Sequence, residues 1–347
     1  MNELRIGELN IKIPVFQGGM GVGVSLSNLA GAVAAAGGVG VISTAQIGFR
    51  EPGFLKNPIE TNLKAITKEI KKARELASGG VLGVNIMVAT RRYEDYVRTA
   101  VEAGIDFVIS GAGMPMDLPK LVEGTKTKIA PIISSRKALD ILSRYWKKRY
   151  NRIPDAIVIE GPMAGGHLGF SKEDVETLTR EEYDKEIEQI IDLANNLGDG
   201  NNQPPVIIAG GIFERSDMDH YMKLGAKGVQ IATRFVTTKE CDVSNEFKQA
   251  YINATKDDIV IVKSPVGMPG RAIHNKFLDR VASGEKFMSI CKQCIKTCNG
   301  FDAPYCITDA LVNSALGNVD EGLIFCGSNA YRCTKIETVA EIMEEFA

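Results

Sequence analysis

The chain has 347 residues, 44% of them hydrophobic and 24% charged, with a formal net charge of −2. Such a composition buries a substantial core, either as one large α/β domain or as a barrel with an appendage, and excludes disorder as a bulk description. Acids and bases are mixed along the whole chain, so no field recommends a nucleic acid as partner, and a small molecule is expected instead.

The N-terminal "MNELRIGELNIKIPVF" carries charges throughout and has no apolar run followed by a cleavage site, so no signal peptide is expected and the location is read as cytoplasmic. The most apolar segment, "LAGAVAAAGGVGVIS" (29–43), is too short to span a bilayer and too glycine-rich to form one helix. No membrane association is expected.

Short β-branched runs then recur, each followed by a helical pattern: "IPVFQ" (13–17), "VGVIS" (39–43), "VLGVNI" (81–86), "DFVIS" (106–110), "KIAPII" (128–133), "DAIVIE" (155–160), "PPVIIAG" (204–210) and "KGVQIA" (227–232). Intervening segments such as "NLKAITKEIKKARELA" and "RRYEDYVRTAVEAG" have helical apolar spacing. Eight such units predict an α/β fold of the (β/α)8 TIM-barrel kind rather than an open doubly wound sheet. The open sheet also wants a GxGxxG turn with an acid about twenty residues on. "GGMGVG" (18–23) matches only loosely and no such acid follows.

In a barrel the residues just after each strand share one face, where the chemistry is kept. Those positions are rich in glycine and almost free of carboxylates, Glu160 being the exception. This excludes a glycosidase, which needs two carboxylates, and a divalent-metal hydrolase, which needs a His and Asp cluster. Glycines at strand ends permit backbone N–H groups to approach a large, flat, phosphorylated ligand, and a flavin fits that description. "VIIAGGIFERSDM" (206–218) and "QIATRF" (230–235) close the last two strands, the usual phosphate site of this fold. The first of these closes its strand with Gly210-Gly211 and is then expected to open a helix, so that the amides point outward with the positive end of the helix dipole behind them. One phosphate site without a second nucleotide signature suggests FMN rather than FAD.

"PVFQGGMG", "GVNI", "EGPMAGGHLG", "IIAGGI", "GVQIATRF" and "SPVGMPGRAIHN" occur in this order, and the chain thereby resembles the nitronate monooxygenase (2-nitropropane dioxygenase) family. That family is related to a flavin-type enoyl-[acyl-carrier-protein] reductase. The resemblance implies an FMN barrel with a small domain inserted after the eighth strand: residues 1–235 and 315–347 form the barrel, and 236–314 an inserted substrate or lid segment. It also implies that Gly18, Gly19 and Met20 lie near the flavin ring, Asn85 at its polar edge, and Gly165 and Gly166 beneath it. Gly210, Gly211, Ala232 and Thr233 would hold the phosphate, with Ala232 standing where the family commonly has glycine.

His167, one of only three histidines in the chain, corresponds by the same resemblance to the family's catalytic histidine. A histidine there can take a proton from carbon beside a nitro group or orient a nitronate. His220 is expected at the surface and His274 at the rim of the site.

Seven cysteines, six of them after residue 290, read as metal ligands or reduced thiols rather than a disulfide framework. Cys291, Cys294, Cys298 and Cys306 follow the spacing C-x2-C-x3-C-x7-C, which suits zinc or an iron–sulfur cluster and leaves the choice open, ordinary thiols being the alternative. The block resembles the four-iron site of some larger flavin barrels and departs from the usual nitronate monooxygenases. The basic run "RYWKKRYNR" (144–152) ends a helix on the barrel's far face, where the dipole favours cations.

The leading expectation is FMN-dependent oxidation of alkyl nitronates or nitroalkanes by O2 to a carbonyl compound and nitrite. Two alternatives stand beside it: an NAD(P)H-dependent enoyl reductase and a flavin/iron–sulfur electron-transfer protein. A homodimer is compatible with any of them.

Overall fold

The computed structural model describes residues 3–198, 202–298 and 303–347. An N-terminal antiparallel hairpin, β1 (Leu4–Ile6) and β2 (Leu9–Ile11), precedes the barrel strands β3 (Val15–Gln17), β4 (Val39–Ser43), β5 (Val81–Met87), β6 (Phe107–Gly111), β7 (Lys128–Ile133) and β8 (Ile157–Glu160). A two-residue strand, β9 (Gly166–His167), then leaves the barrel, which resumes with β10 (Val206–Ala209) and β11 (Gly228–Ile231). The sheet closes in the order β10-β11-β3-β4-β5-β6-β7-β8, with every pairing parallel. All eight strands expected from the sequence are present, and the chain is an α/β TIM barrel.

Their β-branched composition follows from burial on both faces, as in parallel sheets covered by helices. Along β8, Ile157 and Ile159 pack outward with Tyr183 and Ile187 of the helix Arg180–Asn195, while Val158 packs inward with Phe16 and Phe107. The inward set is apolar through the barrel's depth, and Phe16 meets Phe107 edge to face at 6.0 Å between centroids. Ile6 and Ile11 of the hairpin join this inner cluster and so plug the N-terminal end of the barrel. Only the opposite end is left open to a ligand.

The surrounding helices begin where capping residues stop the backbone. Ser135 caps Arg136–Tyr150, and Thr179 and Glu182 form a capping box at the start of Arg180–Asn195. After β11 the chain builds a second antiparallel sheet from β12 (Ile259–Lys263) and β13 (Pro269–Ile273), and β9 is its third strand, in the order β12-β13-β9. A small cluster of Ala272, Phe277, Tyr305, Ile307, Ala310 and Leu323 supports this sheet, while Phe247 and Tyr251 of the helix Asn245–Asn253 join the barrel's outer core. Among the described residues no helix is long and apolar enough to cross a membrane.

Candidate active site

A cavity of about 680 Å³ opens at the C-terminal ends of the barrel strands. Its size is that of a small-molecule or cofactor site, roughly 300–1,000 Å³. Gly18, Gly19 and Met20 line it from the end of β3, and Asn85 from β5. Gly165, Gly166 and His167 line it from the loop after β8, Gly210 and Gly211 from β10, and Ala232 and Thr233 from β11. The fold thus brings every residue expected at the flavin to one place. Glu160, Gln230 and Gly327 line it too. Among the described lining residues there is no lysine or arginine.

The loop carrying His167 is held by segments far away in sequence. Gly166 and His167 pair with Arg271 and Gly270 of β13, and Leu168 N–H donates to the Pro269 carbonyl at 2.9 Å. The buried Arg271 guanidinium donates to the carbonyls of Pro162, at 3.0 Å, and Ala164. On the other side runs the segment after Phe325. A Cβ on Gly165 would lie 2.5 Å from the Cys326 carbonyl, so only glycine lets the loop pass. Gly166 is glycine for a different reason, its φ of +69°.

The imidazole itself is clamped. His167 Nε2 lies 2.7 Å from Ser264 Oγ, and Ser264, at 2% exposure, sits just past β12 and accepts a further bond from Val266 N–H at 3.4 Å. Phe325 packs against the ring, with centroids 4.9 Å apart and planes inclined by 67°. Burial lowers the His167 pKa to about 4, so the ring is neutral at pH 7. Nδ1 has no protein partner among the described residues. A neutral imidazole that donates from Nε2 to Ser264 presents Nδ1 as a proton acceptor.

Glu160 is another titratable group that lines the cavity. It is two residues beyond the inward-facing Val158 and continues that line onto the cavity floor. Burial alone raises its pKa to about 7.

The phosphate corner differs in one respect from expectation. The helix after β10 begins at Arg215 with Glu214 at its N-cap, so Gly210 and Gly211 lie in the preceding loop rather than at a helix N-terminus. Thr233, in contrast, begins the short helix Thr233–Val236 directly after β11. Gly327 closes this corner: a Cβ there would stand 2.5 Å from Thr233 Oγ1. Asn329 Nδ2 donates to the Gly211 carbonyl at 2.8 Å, and the neighbouring Ser328 Oγ is buried with no partner among the described residues. Glycine backbone and a threonine hydroxyl at this corner suit a phosphate group.

One expectation is corrected. His274 does not line the cavity; its Nε2 is 2.8 Å from Asp279 and the ring is exposed. A metal site at Cys291, Cys294, Cys298 and Cys306 is not shown: among the described residues no three His, Cys, Asp or Glu side chains stand where one metal ion could be held. Cys291 is exposed, its sulfur accepting from Gln293 N–H at 3.4 Å, and Cys294 is bonded to Thr308. Residues 299–302 of this block lie outside the described residues. Their neighbours do reach the cavity, since Ile295 bridges to Thr90 and both Ile295 and Thr297 line it. His220 is half-exposed and 2.7 Å from Asp184.

Sequence reasoning missed Ser264 and Gln230. Ser264 and Gln230 stand inside the quoted motifs, yet nothing local says that Ser264 reaches a histidine 97 positions away.

A family model described as nitronate monooxygenase matches residues 2–347. A probable nitronate monooxygenase of Staphylococcus saprophyticus is 26% identical over 303 residues, covering 79% of this chain and 79% of its own. A Mycobacterium tuberculosis protein, named a (3aS,4S,5R,7aS)-5-hydroxy-7a-methyl-1-oxo-octahydro-1H-indene-4-carboxyl-CoA dehydrogenase, is 28% identical over 278 residues, or 80% of this chain and 68% of the relative. Among solved structures, FabK from Thermotoga maritima superposes with a TM-score of 0.73 at 25% identity, over 97% of this chain and 92% of that one.

Proposed function

The chain belongs to the nitronate monooxygenase family and is an oxidoreductase, and from that premise we propose that it oxidises alkyl nitronates, and the nitroalkanes from which they form by loss of a proton, with O2, using FMN, to a carbonyl compound and nitrite. The observation that carries this reading is the neutral, clamped His167 facing a cavity that no lysine or arginine lines among the described residues. FMN, when bound, supplies the redox chemistry that moves electrons from the substrate to O2. In this reading Gly18, Gly19, Met20, Asn85, Gly165 and Gly166 pack against its ring system, and Gly210, Gly211, Ala232 and Thr233 hold its phosphate.

The chain's own residues do the rest. His167 takes the proton from the carbon beside a nitro group, and Nδ1 is the atom that receives it while Ser264 fixes Nε2. Asn85 and Gln230, both lining the cavity, offer amide donors to an oxyanion. The segment 236–314 acts as a lid whose hairpin, β12 and β13, carries the clamp. The expectation of zinc or an iron–sulfur cluster rests on cysteine spacing alone, and no step is routed through it.

One observation favours a second reading, reduction of an enoyl thioester by NAD(P)H through FMN. The cavity wall is long and apolar, with Met87, Met114, Met268, Leu311, Leu323 and Phe325, more than a short nitroalkane requires. A relative of comparable similarity is named for a CoA thioester. Anaerobic mixing separates the two readings. Bleaching of the flavin by propane-2-nitronate but not by NADPH supports the monooxygenase, and fast bleaching by NADPH overturns it in favour of the reductase.

A further inference from the structure

Among the described residues Glu160 is the one carboxylate lining the cavity, and none of them neutralises it. It faces the same space as His167, Tyr251 and Cys326, the other titratable groups among the described lining residues. The strands beside it, β7 and β10, present Ile132, Ile133 and Ala209. From the helix Arg180–Asn195, Tyr183 Oη donates to the backbone carbonyls of Glu160 and Ser134, at 3.2 Å each, and leaves the carboxyl group alone. Tyr251 spends its hydroxyl on the Phe325 carbonyl at 2.6 Å. No lysine or arginine lines the cavity among the described residues.

A reaction that works on an anion or generates one needs donors where the charge appears. With no cation in reach, an ionised Glu160 would repel that charge, whereas a protonated Glu160 would meet it with an O–H. We propose that Glu160 serves the reaction as a neutral carboxylic acid, the hydrogen-bond donor that stabilises negative charge forming in the cavity. This rests on the reading that the cavity hosts oxidation of a nitronate or a comparable anion. The logic is that of a carboxylic acid kept protonated by an apolar site so that it can donate.

The other groups support the assignment. Burial lifts Glu160 to about 7 and drops His167 to about 4, so between these values both are uncharged and divide the labour, acceptor and donor. Burial also pushes Cys326 up to about 12 and Tyr183 and Tyr251 above their ordinary value, so none of the three titrates near neutrality. An anion entering the cavity raises Glu160 further, because like charges oppose its ionisation.

The test uses the flavin-loaded protein and the variants Glu160→Gln, which keeps a donor and cannot ionise, and Glu160→Ala, which removes both. With carbon-13 in the glutamate carboxyls, one signal is expected to titrate near pH 7 and to vanish in E160Q. A Glu160 signal titrating in the ordinary range, about 4.3, overturns the proposal. Should E160Q not accumulate, Glu160→Asp, which also removes that signal, assigns it. With propane-2-nitronate as substrate, wild-type kcat/KM is expected to fall about tenfold per pH unit above the Glu160 pKa. E160Q is expected to be slower at pH 6 and flat over the same range, and E160A slow throughout. An alkaline fall that survives in E160Q overturns the proposal. Absence of nitronate turnover in the wild type counts against the functional reading instead, and the carboxyl titration still decides whether Glu160 holds its proton.

Discussion

Replacing His167 by asparagine separates proton abstraction from every other contribution of this site. The base is needed only while a proton remains on carbon, so a neutral nitroalkane and its preformed nitronate report different things. Removing a general base costs ~10²–10⁴-fold, or about 3–5.5 kcal/mol of barrier, and that loss is expected for nitroethane. For ethyl nitronate the variant forfeits one hydrogen bond at the ring position, about 0.5–1.5 kcal/mol. The expected loss is therefore roughly tenfold or less.

The pH dependence sharpens the test. Because burial lowers His167 to about 4, the ring stays neutral in the folded protein well below its ordinary value of about 6.5. The base-dependent rate on nitroethane should then hold its value as pH falls through 6.5 and decline only toward 4. Stability moves in the same window: the unfolded chain takes up a proton below about 6.5 and the folded one does not until about 4. Stability is fully present above 6.5 and erodes by up to about 3 kcal/mol as pH falls toward 4. His167→Asn should remove that slope. Initial rates on both substrates across this range, with urea unfolding at each pH, supply the data. Equal small losses on nitroethane and nitronate, or an acid limb at 6.5 in the wild type, would refute the argument.

Ser264→Ala removes the clamp 2.7 Å from Nε2 and should lower kcat on nitroethane by roughly tenfold while leaving KM nearly unchanged, about the value of one hydrogen bond. Nitrogen-15 spectra should then show His167 as a mixture of tautomers; a single tautomer identical to wild type would remove Ser264 from the mechanism. Thr233→Val keeps the shape but deletes a hydroxyl donor at the phosphate corner, so FMN affinity should drop by about 1.5–3 kcal/mol. Unchanged FMN retention on dialysis would place the phosphate elsewhere. If the spacing of Cys291, Cys294, Cys298 and Cys306 marks a ligand set, anaerobically prepared protein carries iron or zinc and Cys294→Ser loses it. Metal-free protein whose melting temperature is the same in both forms retires that expectation.

The eight strands and their closure were legible in the sequence because a parallel strand is buried on both faces and must be written in β-branched residues, whatever the rest of the chain does. "VGVIS" and "KIAPII" coincide with β4 and β7. The glycine-rich mouth was legible for the same local reason: a backbone that must approach another backbone, as Gly165 approaches Cys326, can be written only one way. Local pattern also explains the errors. Gly210-Gly211 closes its strand and a helix does follow, but the capping pair of Glu214 and Asp217 starts that helix only at Arg215, so its dipole does not stand directly behind the glycine amides. The motif around His274 suggested the site, yet Asp279 holds that ring outside it.

What the tertiary structure alone decided is the chemical state of the groups the sequence named. His167 is a neutral acceptor because Ser264, Phe325 and β13 come from segments about a hundred and more positions later and enclose it. Glu160 is pushed up to about 7 because the barrel turns it inward onto a floor that no lysine or arginine lines among the described residues. Protonation follows from desolvation and from the charges within a few ångströms, and both depend on which distant segments meet in space. Composition and periodicity carry the strands; they carry nothing about that enclosure.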